Sequence, residues 1–78
     1  MTIREALRKG TALLQKAGVP DADVDACLLL ANLLKEDTLV LRIEGQRELS
    51  EEKQREFEAL LARREKREPL QYILGETE

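Results

Sequence analysis

The chain has 78 residues, and its 13 Lys and Arg against 16 Asp and Glu leave a net charge of −3. A domain this small buries only about 60% of the surface its unfolded chain exposes, which leaves little room for an enclosed substrate cavity. Its acidic balance opposes the phosphate attraction behind non-specific nucleic-acid binding. With no histidine, no tryptophan, one tyrosine and one cysteine, the commonest general base and a full set of zinc ligands are missing, so no catalytic, cofactor-binding or metal-binding residue is assigned.

Cys27 has no partner for a disulfide, and Met1-Thr2-Ile3-Arg4-Glu5 lacks the apolar core of a signal peptide. The longest apolar run, from Ala26 to Leu34, is interrupted by Asn32 and falls short of the roughly 20 residues that cross a bilayer. A cytoplasmic monomer that binds neither membrane nor nucleic acid is expected.

Thr2-Ile3-Arg4-Glu5 is a capping box, with threonine and glutamate each satisfying a backbone donor of the first turn. The helix it opens carries Ile3, Ala6, Leu7, Leu13, Leu14 and Ala17 on one face, and Gly10 weakens its middle by about 1 kcal/mol relative to alanine. Gly18 suits the left-handed position after the last turn, Val19 can fold back onto Leu14, and Pro20 prevents continuation.

A second helix, capped by Asp21 or Asp23, should reach Leu34. Its stripe of Val24, Cys27, Leu28, Ala31 and Leu34 is widened by Leu29, Leu30 and Leu33, so it reads as the central helix. Asp37 before Thr38 to Ile43 predicts a short third helix, although the β-branched Thr38, Val40 and Ile43 also permit a strand. Gly45 ends that element, and Gln46 to Leu49 form a polar connection. Ser50 caps a long fourth helix that turns Phe57, Leu60 and Leu61 inward and runs to about Lys66. Glu68-Pro69 places an acidic residue at a cap position and proline at the first helical position, and Gly75 supplies the stop of a short fifth helix, about Leu70 to Leu74. The expected fold is all-α, one bundle of about five helices with the third and fifth short.

Four groups of residues invite a functional reading. Asp21-Ala22-Asp23-Val24-Asp25 imitates the start of a calcium loop, but Ala26 and Asn32 stand where glycine and a bidentate glutamate are needed, so negative charge at a helix start is preferred. Cys27 lies on an apolar stripe with no histidine to activate it, which makes it a packing residue. Arg63, Arg64, Lys66 and Arg67 form the densest basic run. They either complement the negative end of the fourth helix or dock a partner. Tyr72, beside Gln71, is expected to be at least half buried, with a domain interface as the alternative use of its ring. Arg63, Arg64, Arg67, Gln71 and Tyr72 are therefore the candidate partner- or domain-docking residues.

Arg63-Arg64 followed by Glu68-Pro69-Leu70-Gln71-Tyr72-Ile73-Leu74-Gly75 resembles the segment that closes the N-terminal helical domain of HemK-type release-factor glutamine methyltransferases. Asp25-Ala26 followed by Leu29-Leu30-Ala31 is similar to that family's Asp-Ala-x-x-Leu-Leu helix, and Leu49-Ser50 opens a long helix at the matching place. Arg67 and Lys35 depart from it, standing where members often carry glycine.

The resemblance implies that residues 1–75 are a helical domain and that 76–78 begin a linker to a catalytic domain absent from this chain. It implies a parent enzyme that transfers a methyl group from S-adenosylmethionine to the glutamine of a Gly-Gly-Gln loop in peptide chain release factors. The Asn-Pro-Pro-Tyr loop and glycine-rich turn of that chemistry do not occur in these residues. The domain's expected role is recognition of the release factor, with a structural role on its own catalytic domain as the alternative.

Overall fold

The computed structural model describes residues 1–76. Five helices follow in order: α1 (Ile3–Lys16), α2 (Ala22–Leu34), α3 (Thr38–Ile43), α4 (Glu51–Glu65) and α5 (Leu70–Glu76). The all-α expectation holds, and α3 is a helix because the Asp37 carboxylate accepts the backbone N–H of Leu39 at 3.1 Å and so caps a first helical turn.

The capping box forms at α1. Thr2 Oγ1 accepts the Glu5 N–H at 3.2 Å, and the Glu5 carboxylate accepts the Thr2 N–H at 2.9 Å. That second bond, reinforced by the threonine hydroxyl, holds the Glu5 carboxyl below its ordinary range. Ser50 caps α4 by accepting the Lys53 N–H at 3.2 Å. The cap expected at α2 does not form: Asp21 makes no side-chain cap bond and takes a left-handed backbone with φ 53°.

Helix α2 touches every other helix, as a central helix must. Its buried face, however, is Ala22, Asp25, Ala26, Leu29, Leu30 and Ala31, with Val24 exposed and Cys27 and Leu28 only half buried. The predicted stripe is rotated because α2 is apolar nearly all round, so its own periodicity cannot choose which side faces inward.

Gly10 finds its reason in this packing. It is buried, and a Cβ there would meet Phe57 Cζ at 3.0 Å and the Leu61 methyls at 3.3 Å, so glycine lets α1 pass close over α4. The segment read as a polar connection before Ser50 pairs with the chain start. Ile3 N–H donates to Arg47 O, and Leu49 N–H to Met1 O, each at 2.9 Å, with Leu49 buried.

Helix α5 begins at Leu70, where it was predicted, but Pro69 does not form its first turn. The N–H groups of Tyr72 and Ile73 both donate to Pro69 O, which makes Pro69 the residue before the helix rather than its first member. Gly75 lies inside α5, which continues to Glu76, so the expected stop is not where the helix ends. Residues 77 and 78 of the expected linker lie outside the described residues. Ile3, Leu14, Leu29, Leu30, Leu41 and Ile73 are fully buried and, with Phe57, Leu60 and Leu61 of α4, form one core fed by all five helices.

Candidate functional site

The arginine run lies where α4 ends and the chain turns into α5. Three helix ends of this protein share one hydrogen-bond pattern, in which one N–H bonds back to the carbonyl five positions earlier and the N–H of the residue before it to the carbonyl three positions earlier. At α1, Val19 donates to Leu14 O at 2.9 Å and Gly18 to Gln15 O at 3.0 Å. At α2, Glu36 donates to Ala31 O at 3.0 Å and Lys35 to Asn32 O at 3.2 Å. At α4, Glu68 donates to Arg63 O at 3.3 Å and Arg67 to Arg64 O at 2.9 Å. The pattern needs a left-handed residue, supplied by Gly18 (φ 80°), Lys35 (φ 56°) and Arg67 (φ 70°). The two departures noted in the sequence therefore keep the turn and accept the crowding of a side chain in it.

Arg67 does more than fill its turn. Its Nη2 donates to the carbonyls of Ala17 and Gly18, each at 3.2 Å. A residue ending α4 thus satisfies carbonyls left open at the end of α1 and brings a positive charge to that helix's negative pole.

Arg64 reaches the core. Its Nε donates to Asp25 Oδ2 at 2.9 Å, and its Nη1 to Glu68 O at 3.0 Å. The two side chains are only 16% and 10% exposed. Asp25, read in the sequence as charge at a helix start, is instead a buried carboxylate that must be paired to be tolerated. With Asp25 turned onto Arg64 and Asp21 and Asp23 exposed, the alternating aspartates do not converge as a calcium loop requires.

Arg63 grips Glu68, with Nε and Nη2 at 2.9 and 2.8 Å from the same carboxylate oxygen. Its guanidinium also sits 6.0 Å from the centre of the Tyr72 ring, the outer range of a cation–π contact. Tyr72 itself is 60% exposed, against the expectation of half burial or more. Ile73 takes the inward position of α5, and one residue along a helix turns a side chain about 100° around the axis. Gln71 is exposed as well. Of the five docking candidates, Gln71 and Tyr72 face solvent, Arg63 braces the tyrosine ring, and Arg64 and Arg67 are bonded to α2 and to the end of α1. Cys27 is half buried, and burial pushes its thiol above the ordinary range.

Residues 5–75 match the family described as the PrmC N-terminal domain. The chain belongs to that family. It is 43% identical over 75 residues to a release factor glutamine methyltransferase of Corynebacterium glutamicum, covering 96% of this chain and 25% of that protein. A protein of the same name from Clostridium botulinum is 33% identical over 78 residues, covering 100% of this chain and 28% of its own length. A bifunctional methyltransferase of Rickettsia conorii is 36% identical over 74 residues, covering 95% of this chain and 14% of its own length. No solved structure matches the chain.

The chain thus spans about a quarter of the first two relatives, and the family match runs from α1 into α5. The matched residues include parts of all five helices. None of the described helices is long and apolar enough to cross a membrane.

Proposed function

We propose that this domain is the non-catalytic substrate-recognition part of a cytoplasmic release factor glutamine methyltransferase, contacting the release factor away from the glutamine that is methylated. Contacts remote from the reacting atoms raise the effective concentration of the substrate and orient it, so a domain without catalytic groups can still raise kcat/KM. S-adenosylmethionine and the transfer step are assigned to the rest of the enzyme. No Gly-x-Gly occurs in the sequence and no strand among the described residues, so nothing here fits a cofactor cradle of the strand–turn–helix kind.

The observation that carries this reading is the solvent-facing Gln71–Tyr72 turn of α5, braced from below by Arg63 and Glu68. An exposed aromatic ring beside an arginine is a characteristic anchor for a protein partner. In the full-length enzyme, Tyr72→Ala should lower kcat/KM for an intact release factor about tenfold, the equivalent of about 1.4 kcal/mol, with the melting temperature unchanged. If removing the whole domain left kcat/KM for the intact release factor as it was, the recognition role would be abandoned.

A second reading is favoured by the place of that turn, on the last helix of a unit whose relatives are several times longer. Here Tyr72 would pack on the catalytic domain and stabilise it. Tyr72→Ala would then lower the melting temperature of the full enzyme with no selective loss of release-factor affinity.

A further inference from the structure

We infer that the groove between α1, α2 and α3, flanked by Arg8 and Arg42, is a second docking surface, and that it receives an acidic segment of the partner carrying apolar side chains. The inference rests on the recognition role proposed above, but not on the Tyr72 turn.

The groove has a volume of about 450 Å³ and is lined by half-buried Leu7, Thr11 and Cys27 together with exposed Arg8 and Arg42. It continues past Cys27 and Arg42 into a smaller depression of about 130 Å³ bordered by Val24 and Thr38. Beside Arg42 on α3, Leu39 and Ile43 are 60% and 74% exposed, and Val24 of α2 is 48% exposed. Cations set among exposed aliphatics match the composition of interface cores, where arginine and large apolar residues are enriched.

The groove arginines also differ from the run at the end of α4 in their bonding. Arg63, Arg64 and Arg67 would have to release Glu68, Asp25 and the Ala17 and Gly18 carbonyls before meeting a partner. No hydrogen bond or ion pair of Arg8 or Arg42 is found among the described residues, although Arg8 lies near enough to Glu5 for the carboxylate to feel its charge, so an incoming carboxylate has no bond to break at either arginine. Charge distribution selects the same face for an acidic partner. Arg4, Arg8 and Lys16 lie on α1 against a single Glu5, with Lys9 on the side toward α4, whereas the exposed side of α4 sets Arg55 against Glu51, Glu52 and Glu58. Such an asymmetry steers and orients an acidic segment toward α1 and α3. Asp23 is the one acidic residue lining the groove, and it would exclude a segment carrying its carboxylates on that side.

The test uses the full-length enzyme and an intact release factor, with affinity measured by titration at low and high salt. Three controls accompany it: deletion of the domain, the melting temperature, and turnover of a short Gly-Gly-Gln peptide. Arg8→Glu with Arg42→Glu should weaken binding by about tenfold or more and flatten its salt dependence, leaving peptide turnover and melting temperature unchanged. The neutral pair Arg8→Gln with Arg42→Gln should give a smaller loss in the same direction, and Leu39→Ser with Ile43→Ser a further loss without a change in salt dependence. If deleting the domain weakens binding while none of these substitutions does, the groove is not the docking surface and the recognition role stands. If deletion itself leaves binding intact, the recognition role fails and the groove falls with it.

Discussion

The two groups of arginines in this protein are chemically alike and do opposite things. Arg63, Arg64 and Arg67 crowd together in the chain, yet each is bonded to a different part of the fold: the turn into α5, the buried face of α2 and the end of α1. Arg8 and Arg42 are 34 positions apart (42 − 8), yet they border one groove and have no hydrogen bond or ion pair among the described residues. Density of charge along a chain therefore says little about availability of charge on a surface. A guanidinium has five donors in a fixed fork, which suits it to hold several acceptors at a crowded helix junction.

That contrast can be broken most directly at Arg64. Arg64→Ala leaves the Asp25 carboxylate buried and unpaired, and should cost about 3 kcal/mol, seen as a fall of about 12–24 °C in melting temperature for a domain of this size. Arg8→Ala and Arg42→Ala, measured in the same way, should stay within about 0.5 kcal/mol. Equal losses at all three positions would mean that the two groups do not differ. Replacing the pair together, Arg64→Met with Asp25→Leu, should recover most of the loss, because the penalty lies in the stranded charge rather than in the missing bond.

Arg67 separates the cost of a turn from the benefit of a cap. Arg67→Ala keeps a side chain in the left-handed position and loses both bonds to the end of α1, so it should destabilise by about 1–2 kcal/mol. Arg67→Gly loses the same bonds but relieves the backbone, and should be nearly neutral. A chemical denaturation series with unchanged slopes would read this difference cleanly.

Lys35 is the simpler case, because no side-chain bond of Lys35 is found among the described residues to compensate its turn. Lys35→Gly should raise stability by about 0.5–1 kcal/mol, the left-handed strain removed exceeding the added freedom of the unfolded chain. No gain at Lys35, beside neutrality at Arg67, would show that the left-handed turn is tolerated in this fold without cost.

Local features of the fold were legible in the sequence because short-range chemistry creates them. Thr2 with Glu5, Asp37 and Ser50 mark helix starts through bonds spanning two or three residues, and Gly18 with Val19 marks an end. The rotation of α2 and the burial of Asp25 were not legible, since both are decided by contacts between distant segments; Asp25 and Arg64 are 39 residues apart. The same holds for the candidate site. Tyr72 and Gln71 could be singled out by type and position, but which arginines were already bonded depended on the packing of α1 and α2 against the end of α4. Arg8 and Arg42 gave no signal, because nothing in their spacing brings α1 beside α3.

The smallest effect concerns acid, and it asks whether the fold's other arginine junction behaves like the run at α4. Arg47 holds Glu36 through two bonds, Nη2 to Oε2 at 2.7 Å and Nη1 to Oε1 at 3.0 Å. Those bonds hold the Glu36 carboxyl below its ordinary value of 4.5, and the Thr2 backbone does the same to Glu5. A carboxyl whose folded pKa is depressed binds its proton more readily in the unfolded chain, so it stabilises the fold at pH values above the unfolded pKa. That contribution is lost as pH falls through the lower folded pKa. Glu36→Gln should therefore lower the melting temperature slightly at pH 7 and make no difference well below pH 4.5, where the wild-type carboxyl is protonated too. A difference that persisted undiminished in acid would assign the effect to packing of the side chain rather than to its charge. In that case the Arg47 junction, which like Arg64 and Arg67 ties distant segments together, would owe its hold to shape and not to the ion pair.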